Sequence, residues 1–342
     1  MSTVEEELRA AFQRHEETTP DAGPLRHRID AGWVRVKRRR ARRRVIGAAA
    51  AVLLAGLAVP VVSSTWGHGG QPEAVTLDAA VPGAGANLPA EPVDVLLIGA
   101  DAGADTGAPR ADTVMLLHVP ADRGAVWMVS LPRDGLVSTS GARPEKLSWV
   151  LSTGGPRRVA KAVTTLTGVT PDATVVVDLA GLRGVTEAVG GVRMCLDEPV
   201  TAQFGRKGLA KGCQQIGGAE VESLLRARLG MAAGSLERDR NGQRFLRALT
   251  AKVTAGGVVD LPAAQRLLTA AAGGITVDGD LATLMRVVGD LGSPQLIGIS
   301  EPVLNTPHPE KIYPTVGESL FPAIRDDGLT AWAAANPGYV TR

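Results

Sequence analysis

The sequence has little of what many catalytic centres are built from. Its five histidines, His15, His27, His68, His118 and His308, are scattered, so neither a zinc site nor a histidine-based triad is expected. There are two cysteines, Cys195 and Cys213, without the CxxC spacing of a metal or redox motif. GxxxxGK is absent, and no glycine run opens a helix as a nucleotide loop would. Internal repeats are missing too. Lysine supplies only 7 of the 37 basic residues, a bias that a GC-rich genome explains better than chemistry does.

What is present divides the chain. Val45 to Ser64 carries no charge over 20 residues, the length a helix needs to cross about 30 Å of hydrocarbon. Directly before it stands Arg38-Arg39-Arg40-Ala41-Arg42-Arg43-Arg44. Residues 1–44 hold 12 Lys/Arg against 7 Asp/Glu, and the remainder 25 against 28. The positive-inside bias predicts a cytoplasmic tail (1–44), an uncleaved anchor (45–64) and an extracytoplasmic remainder. With a spanning segment behind the arginines, a nucleic-acid partner is not expected. Residues 65–91 are rich in Gly, Pro and Ala without apolar period, the composition of a flexible tether. A folded domain is expected over 92–335, long enough for one full core. Outside the membrane, Cys195 and Cys213 are a candidate loop disulfide.

Within that domain the pattern is α/β. Val93–Gly99, Thr113–Val119 and Ala125–Leu131 read as buried strands. Pro156–Thr167 has helical spacing. Thr174–Asp178, Leu179–Val189 and Val192–Leu196 read as strand, helix closed by Gly190-Gly191, and strand. Helices are expected over Ala219–Leu229, Glu237–Ala255, Leu261–Ala272 and Leu281–Leu291. A last strand over Leu296–Ser300 precedes a mostly irregular tail with a short helix near Leu329–Ala334. This alternation predicts a central sheet covered on both faces, with ligands at the strand ends.

The charged residues fall at those ends. Asp101 follows the first strand, Arg110 and Asp112 precede the second, and Arg133 and Asp134 follow the third behind Pro132. If the second strand runs antiparallel to its neighbours, all five converge on one rim. Arg226 and Arg228 end one helix before Gly230; Arg238 and Arg240 open the next, where basic residues oppose the macrodipole. An anion between the two helices would account for them. Arginine forks match phosphate oxygens, and facing carboxylates hold a divalent metal that bridges such oxygens. The residues therefore suggest an anchored enzyme acting on a phosphorylated, lipid-linked substrate.

The set VDVLLIGAD, PRADT, VWMVSLPRDG, EKLSWVLSTGGP, ATVVVDLAGLRGVTEAVGGVRMCL, LLRARLG and ERDRNGQRFLRAL resembles the LytR-CpsA-Psr family of cell-wall enzymes. The resemblance implies an α/β/α sandwich with an apolar tunnel for a polyprenyl chain between sheet and helices. It also implies transfer of a glycopolymer phosphate from an undecaprenyl-diphosphate carrier to a peptidoglycan hydroxyl, with Mg²⁺ or Mn²⁺. Carried onto this sequence, Asp101 and Asp112 would be the metal-side carboxylates. Arg110, Arg133, Arg226, Arg228 and Arg238 would clamp the diphosphate, with Gln243 beside them. Asp134 would orient Arg133 or act as base, and Lys146 would stand behind the loop. One departure stands out. Where the family commonly reads Arg-x-x-Arg-Gln-Gln, this chain has Arg238-Asp239-Arg240-Asn241-Gly242-Gln243. Two rival readings stand beside it: a non-catalytic envelope regulator that binds polyprenyl phosphates and signals through the 44-residue tail, and a diphosphate-lipid hydrolase that uses the same residues with water as acceptor.

Overall fold

The computed structural model describes residues 91–101, 109–138, 143–202, 207–226, 235–255, 274–279, 291, 294–300 and 317–341. The predicted tail and anchor, and all of the tether but its last residue, lie outside these residues, as do almost all of the helices expected over 261–272 and 281–291. Among the described residues no helix is long and apolar enough to cross a membrane.

A seven-stranded mixed sheet forms the centre. Its strands are β1 (Val93–Asp101), β2 (Arg110–Val119), β3 (Ala125–Leu131), β6 (Ala173–Asp178), β9 (Ile275–Gly279), β10 (Gln295–Ser300) and β11 (Val340–Thr341), in spatial order β11-β10-β3-β2-β1-β6-β9. The pairs β1–β6 and β3–β10 are parallel. β2 runs antiparallel to both β1 and β3, as the convergence of charges required. Two short hairpins flank the sheet: β4 (Leu136–Val137) with β5 (Glu145–Lys146), and β7 (Val192–Leu196) with β8 (Gly212–Ile216).

The central strands β1, β2 and β3 are largely apolar because both their faces are buried. Leu96, Ile98, Val114, Leu116 and Val129 pack under α1 (Leu147–Thr167), α5 (Gly317–Arg325) and α6 (Leu329–Ala335). Val93, Val95, Met115, Leu117 and Met128 face the other way, toward Leu246 of α4 (Ser235–Ala255) and Leu291. A satellite core joins β7 and β8 to α2 (Leu179–Ala188), α3 (Gly218–Arg226) and α4 through Val192, Ile216, Leu224 and Phe245. The result is an α/β/α sandwich.

Two expectations are corrected. Helix α1 starts at Leu147 rather than Pro156, bending at Gly155, where φ is 70°. Gly154-Gly155-Pro156 reads as a break, but Leu147, Val150 and Leu151 bury one face of the preceding turns against the sheet. The tail is also more regular than predicted. Helix α5 forms despite Pro322, because Leu320, Phe321 and Ile324 dock into the α1 face of the core. Cys195 and Cys213 stand opposite each other in the β7–β8 register and form a disulfide.

Candidate active site

The site begins with a fault in strand pairing. Along β1–β2, Gly99 faces Thr113, but Ala100 faces Ala111, and the register shifts between them. Asp112 is therefore the extra residue of a β-bulge. Strict alternation would send Asp112 to the same face as Val114 and Leu116. The bulge instead puts Ala111 into that core at 0% exposure and turns Asp112 to line a cleft on the opposite face. Beyond the bulge, Asp101 pairs with Arg110.

The loop after β3 is strapped to the start of α1. Gly135 N–H donates to Pro132 at 3.0 Å, Leu147 N–H to Gly135 at 2.9 Å, and Ser148 N–H to Arg133 at 2.8 Å. These bonds satisfy amides that a helix start leaves open, and they fix the backbone carrying Arg133 and Asp134. Arg133, 6% exposed, donates to Asp112 and lies 3.6 Å from Asp134. Lys146 reaches the other oxygen of Asp134 at 3.5 Å. Arg110 Cζ stands over the Trp149 ring, 4.7 Å from its centroid, a cation–π contact that holds its guanidinium at the rim.

Helix α4 brings a third set. Arg238 is buried and reaches Asp239 at 3.3 Å; its Nε has no hydrogen-bond partner among the described residues. Burial raises the Asp239 carboxyl above its ordinary range against the pull of Arg238 and Arg133, and Asp134 pushes the same way as burial. Those interactions place the start of α4 beside the Arg133 loop. Asp239 was not anticipated, because an acid flanked by two arginines in sequence reads as a solvated helix face.

Other predicted residues go elsewhere. Gln243 is fully buried, and its two Nε2 hydrogens are shared among the carbonyls of Met128 and Ile299 and the hydroxyls of Ser130 and Ser300, all at 2.9–3.2 Å. It bolts α4 to β3 and β10 and does not face a phosphate. Gly298 makes this possible, since a Cβ there would collide with the carboxamide. Arg240 pairs with Glu237 at 3.8 Å, while Arg244 bonds Glu237 at 2.6 Å and Asn241 at 2.9 Å. The Arg226 side chain and Arg228 lie outside the described residues.

Beside these charges opens an apolar cleft. Asp101, Asp112 and Thr113 stand along the sheet wall, with Leu182 of α2, Leu225 of α3 and Phe245 and Leu246 of α4 opposite. Asp178 also lines it, its carboxylate capping α2 by accepting from Gly181 N–H at 2.6 Å. A hydrophobic slot thus ends at a rim of cations and carboxylates. Among the described residues no group of three or more His, Cys, Asp or Glu could hold a metal. Two carboxylates, Asp101 and Asp112, line the same cleft.

Comparison with known proteins gives this arrangement a lineage. Probable cell wall biosynthesis protein LcpB of Corynebacterium glutamicum is 33% identical over 157 residues, 46% of this chain and 37% of its own. The polyisoprenyl-teichoic acid–peptidoglycan teichoic acid transferase TagU of Bacillus mycoides is 27% identical over 164 residues, 47% of this chain and 53% of its own. The chain thus matches about half or less of these curated relatives. In fold it resembles the LytR-Csp2A-Psr enzyme from Actinomyces oris, with TM-score 0.55 and 21% identity over 69% of this chain and 91% of that one. It also resembles TagV of B. subtilis, with TM-score 0.55 and 18% identity over 70% and 98%. The model of the LytR_cpsA_psr family matches residues 71–303, and the chain belongs to that family.

Proposed function

We propose that this protein moves a glycopolymer phosphate from an undecaprenyl-diphosphate carrier to a peptidoglycan hydroxyl. The observation that carries this reading is the junction of two unlike surfaces: Asp101 and Asp112 line an apolar cleft, and Arg133 is ion-paired to Asp112 at its edge. An isoprenoid tail suits the cleft, and the diphosphate then falls on the rim.

The residues divide the work. In this proposal the Arg133 and Arg238 guanidinium groups would neutralise charge on the diphosphate as the bond to the leaving undecaprenyl phosphate lengthens. Arg110, Arg226 and Arg228 complete the clamp in this proposal. Asp134, held by Arg133 and Lys146, orients Arg133. Asp101 and Asp112 would hold Mg²⁺ or Mn²⁺, which would supply charge neutralisation to the phosphate groups. The acceptor hydroxyl would attack the glycopolymer-side phosphorus in line, forming a phosphodiester as the P–O bond to the departing undecaprenyl phosphate breaks, and its proton would pass to a carboxylate at the rim or to water. The anchor over Val45–Ser64 would hold the domain on the outer face of the membrane, where the carrier and peptidoglycan are both within reach.

The test is transfer of a radiolabelled glycopolymer from its undecaprenyl-diphosphate carrier to peptidoglycan by the full chain with Mg²⁺. Labelled peptidoglycan is the expected product. Release of glycopolymer phosphate to water alone would make the protein a hydrolase. Carrier binding without bond cleavage would make it the non-catalytic regulator.

A further inference from the structure

Among the described residues one large apolar side chain is left exposed, Trp149, at 47%. Its neighbours in the first turns of α1, Leu147, Ser148, Val150 and Leu151, are all buried, so the indole points away from the core they build. Half in water, the ring adds little to folding through burial. Its place is nonetheless fixed from two sides. Ser148, the residue before it, donates its N–H to the Arg133 carbonyl at 2.8 Å. Arg110, two residues before Asp112 on β2, stands over one face of the ring, 4.7 Å from the centroid. That leaves the other face and the ring edges to solvent, beside the Arg133–Asp112 pair.

The side on which the ring stands matters. Helix α1 packs on one face of the sheet and the apolar cleft opens on the other. The ion pair lies at the edge between them. In-line phosphoryl transfer puts the attacking and departing oxygens on opposite sides of phosphorus. With the departing lipid phosphate on the cleft side, the attacking hydroxyl comes from the α1 side, where Trp149 is. A sugar ring presents a face of C–H bonds with partial positive charge, which suits the negative face of an aromatic ring.

We propose that Trp149 is the platform on which a sugar ring of the peptidoglycan acceptor stacks, and so a specificity-determining residue for that acceptor. This rests on the transfer reading above. The indole is flat and has two side-chain torsions, so little freedom is lost when a sugar settles on it. Lipid and diphosphate are held by other residues, and the ring therefore acts on acceptor affinity.

The experiment uses the full chain in nanodiscs as wild type, Trp149→Ala, Trp149→Leu and Trp149→Phe. Co-sedimentation with purified peptidoglycan reads binding, and transfer kinetics are taken with carrier and acceptor varied separately. Trp149→Ala and Trp149→Leu are expected to weaken peptidoglycan binding, and to raise KM for the acceptor, by about two- to tenfold. KM for the carrier and kcat at saturating acceptor should not change. Trp149→Phe, which keeps a flat aromatic face, should stay near the wild type. Unchanged peptidoglycan binding in the alanine variant overturns the proposal, as does a leucine variant that binds like the wild type. A change confined to the carrier KM overturns it too, assigning the ring to the glycopolymer or to the lipid surface. A wild type that binds peptidoglycan through Trp149 but transfers nothing would keep the platform and sink the transferase reading.

Discussion

Arg133 and Asp112, 21 residues apart, form a largely buried ion pair at the mouth of an apolar cleft. The loop strapped to α1 holds one partner and a β-bulge aims the other. Arg133→Ala is expected to lower turnover by about 10²–10³-fold, as loss of one preorganised transition-state donor does. Asp112→Ala should abolish metal-dependent activity as well and cost about 1–3 kcal/mol of stability, because it strips a partner from a buried cation. Steady-state transfer assays and thermal melts on both variants check this. Full activity in either would remove the pair from the site.

Asp239 adds negative charge beside Arg133 and Arg238 once it ionises, and burial delays that ionisation to higher pH than for an ordinary carboxyl. Pyrophosphate binding is therefore expected to weaken as pH rises through the Asp239 transition. In Asp239→Asn that part of the pH dependence should disappear. Calorimetric titrations across the acidic-to-neutral range distinguish the two. Identical pH profiles would show that the Asp239 charge does not reach the anion.

His118 is fully buried and both ring nitrogens lie 2.9 Å from carboxylate oxygens, Nδ1 from Asp94 and Nε2 from Asp327. Ionised carboxylates only accept, so below the raised pKa of the ring both nitrogens donate and His118 is an imidazolium. Burial opposes that charge, but the two carboxylates outweigh it and raise its pKa. A raised folded value means the stability is present below about pH 6.5 and is lost as pH climbs through the folded value. Asp94, which burial raises against the effect of His118, adds a fall of the same sign in the acidic range. The Tm of the wild type should drop toward alkaline pH, and that drop should be absent in His118→Gln. A wild-type Tm that is flat or rising above neutrality would refute the charged triad.

Gln243 tells a core role from a ligand role. Gln243→Leu is expected to cost about 1–3 kcal/mol, since it abandons buried carbonyls and hydroxyls, and to lower Tm by several degrees. KM for the carrier should stay near the wild-type value. A raised KM at unchanged Tm would restore the phosphate-binding role.

The disulfide between Cys195 and Cys213 closes a loop of sequence separation 18 on a hairpin outside the cleft. Replacing both by serine should cost about 3 kcal/mol through the freed unfolded chain. Transfer activity at low temperature should survive. Melts with and without reductant test this, and a Tm indifferent to reductant would rule out a stabilising bridge.

Much of this could be read in the amino-acid sequence because its causes are local. Apolar runs of strand length marked β1, β3 and β10, and Gly190-Gly191 marked the end of α2. Motif order carried the family and the three strand ends where Arg and Asp meet. Local reading failed where a distant partner decides. Nothing in GESLFPAIR outweighs Pro322 until the core under α5 is known, and Gly154-Gly155-Pro156 reads as a break until α1 is packed. His118 looks like one scattered histidine because Asp94 and Asp327 are 24 and 209 residues away. Gln243 passes for a ligand until β3 and β10 close over it, and Asp239 for a surface acid until the Arg133 loop arrives. The sequence by itself determined which chemistry was available and at which strand ends it gathers, since composition and period are properties of neighbours along the chain. Tertiary structure alone decided which of those side chains face the cleft, because a one-residue bulge at Asp112 inverts a strand face and only the pairing of β1 with β2 creates it.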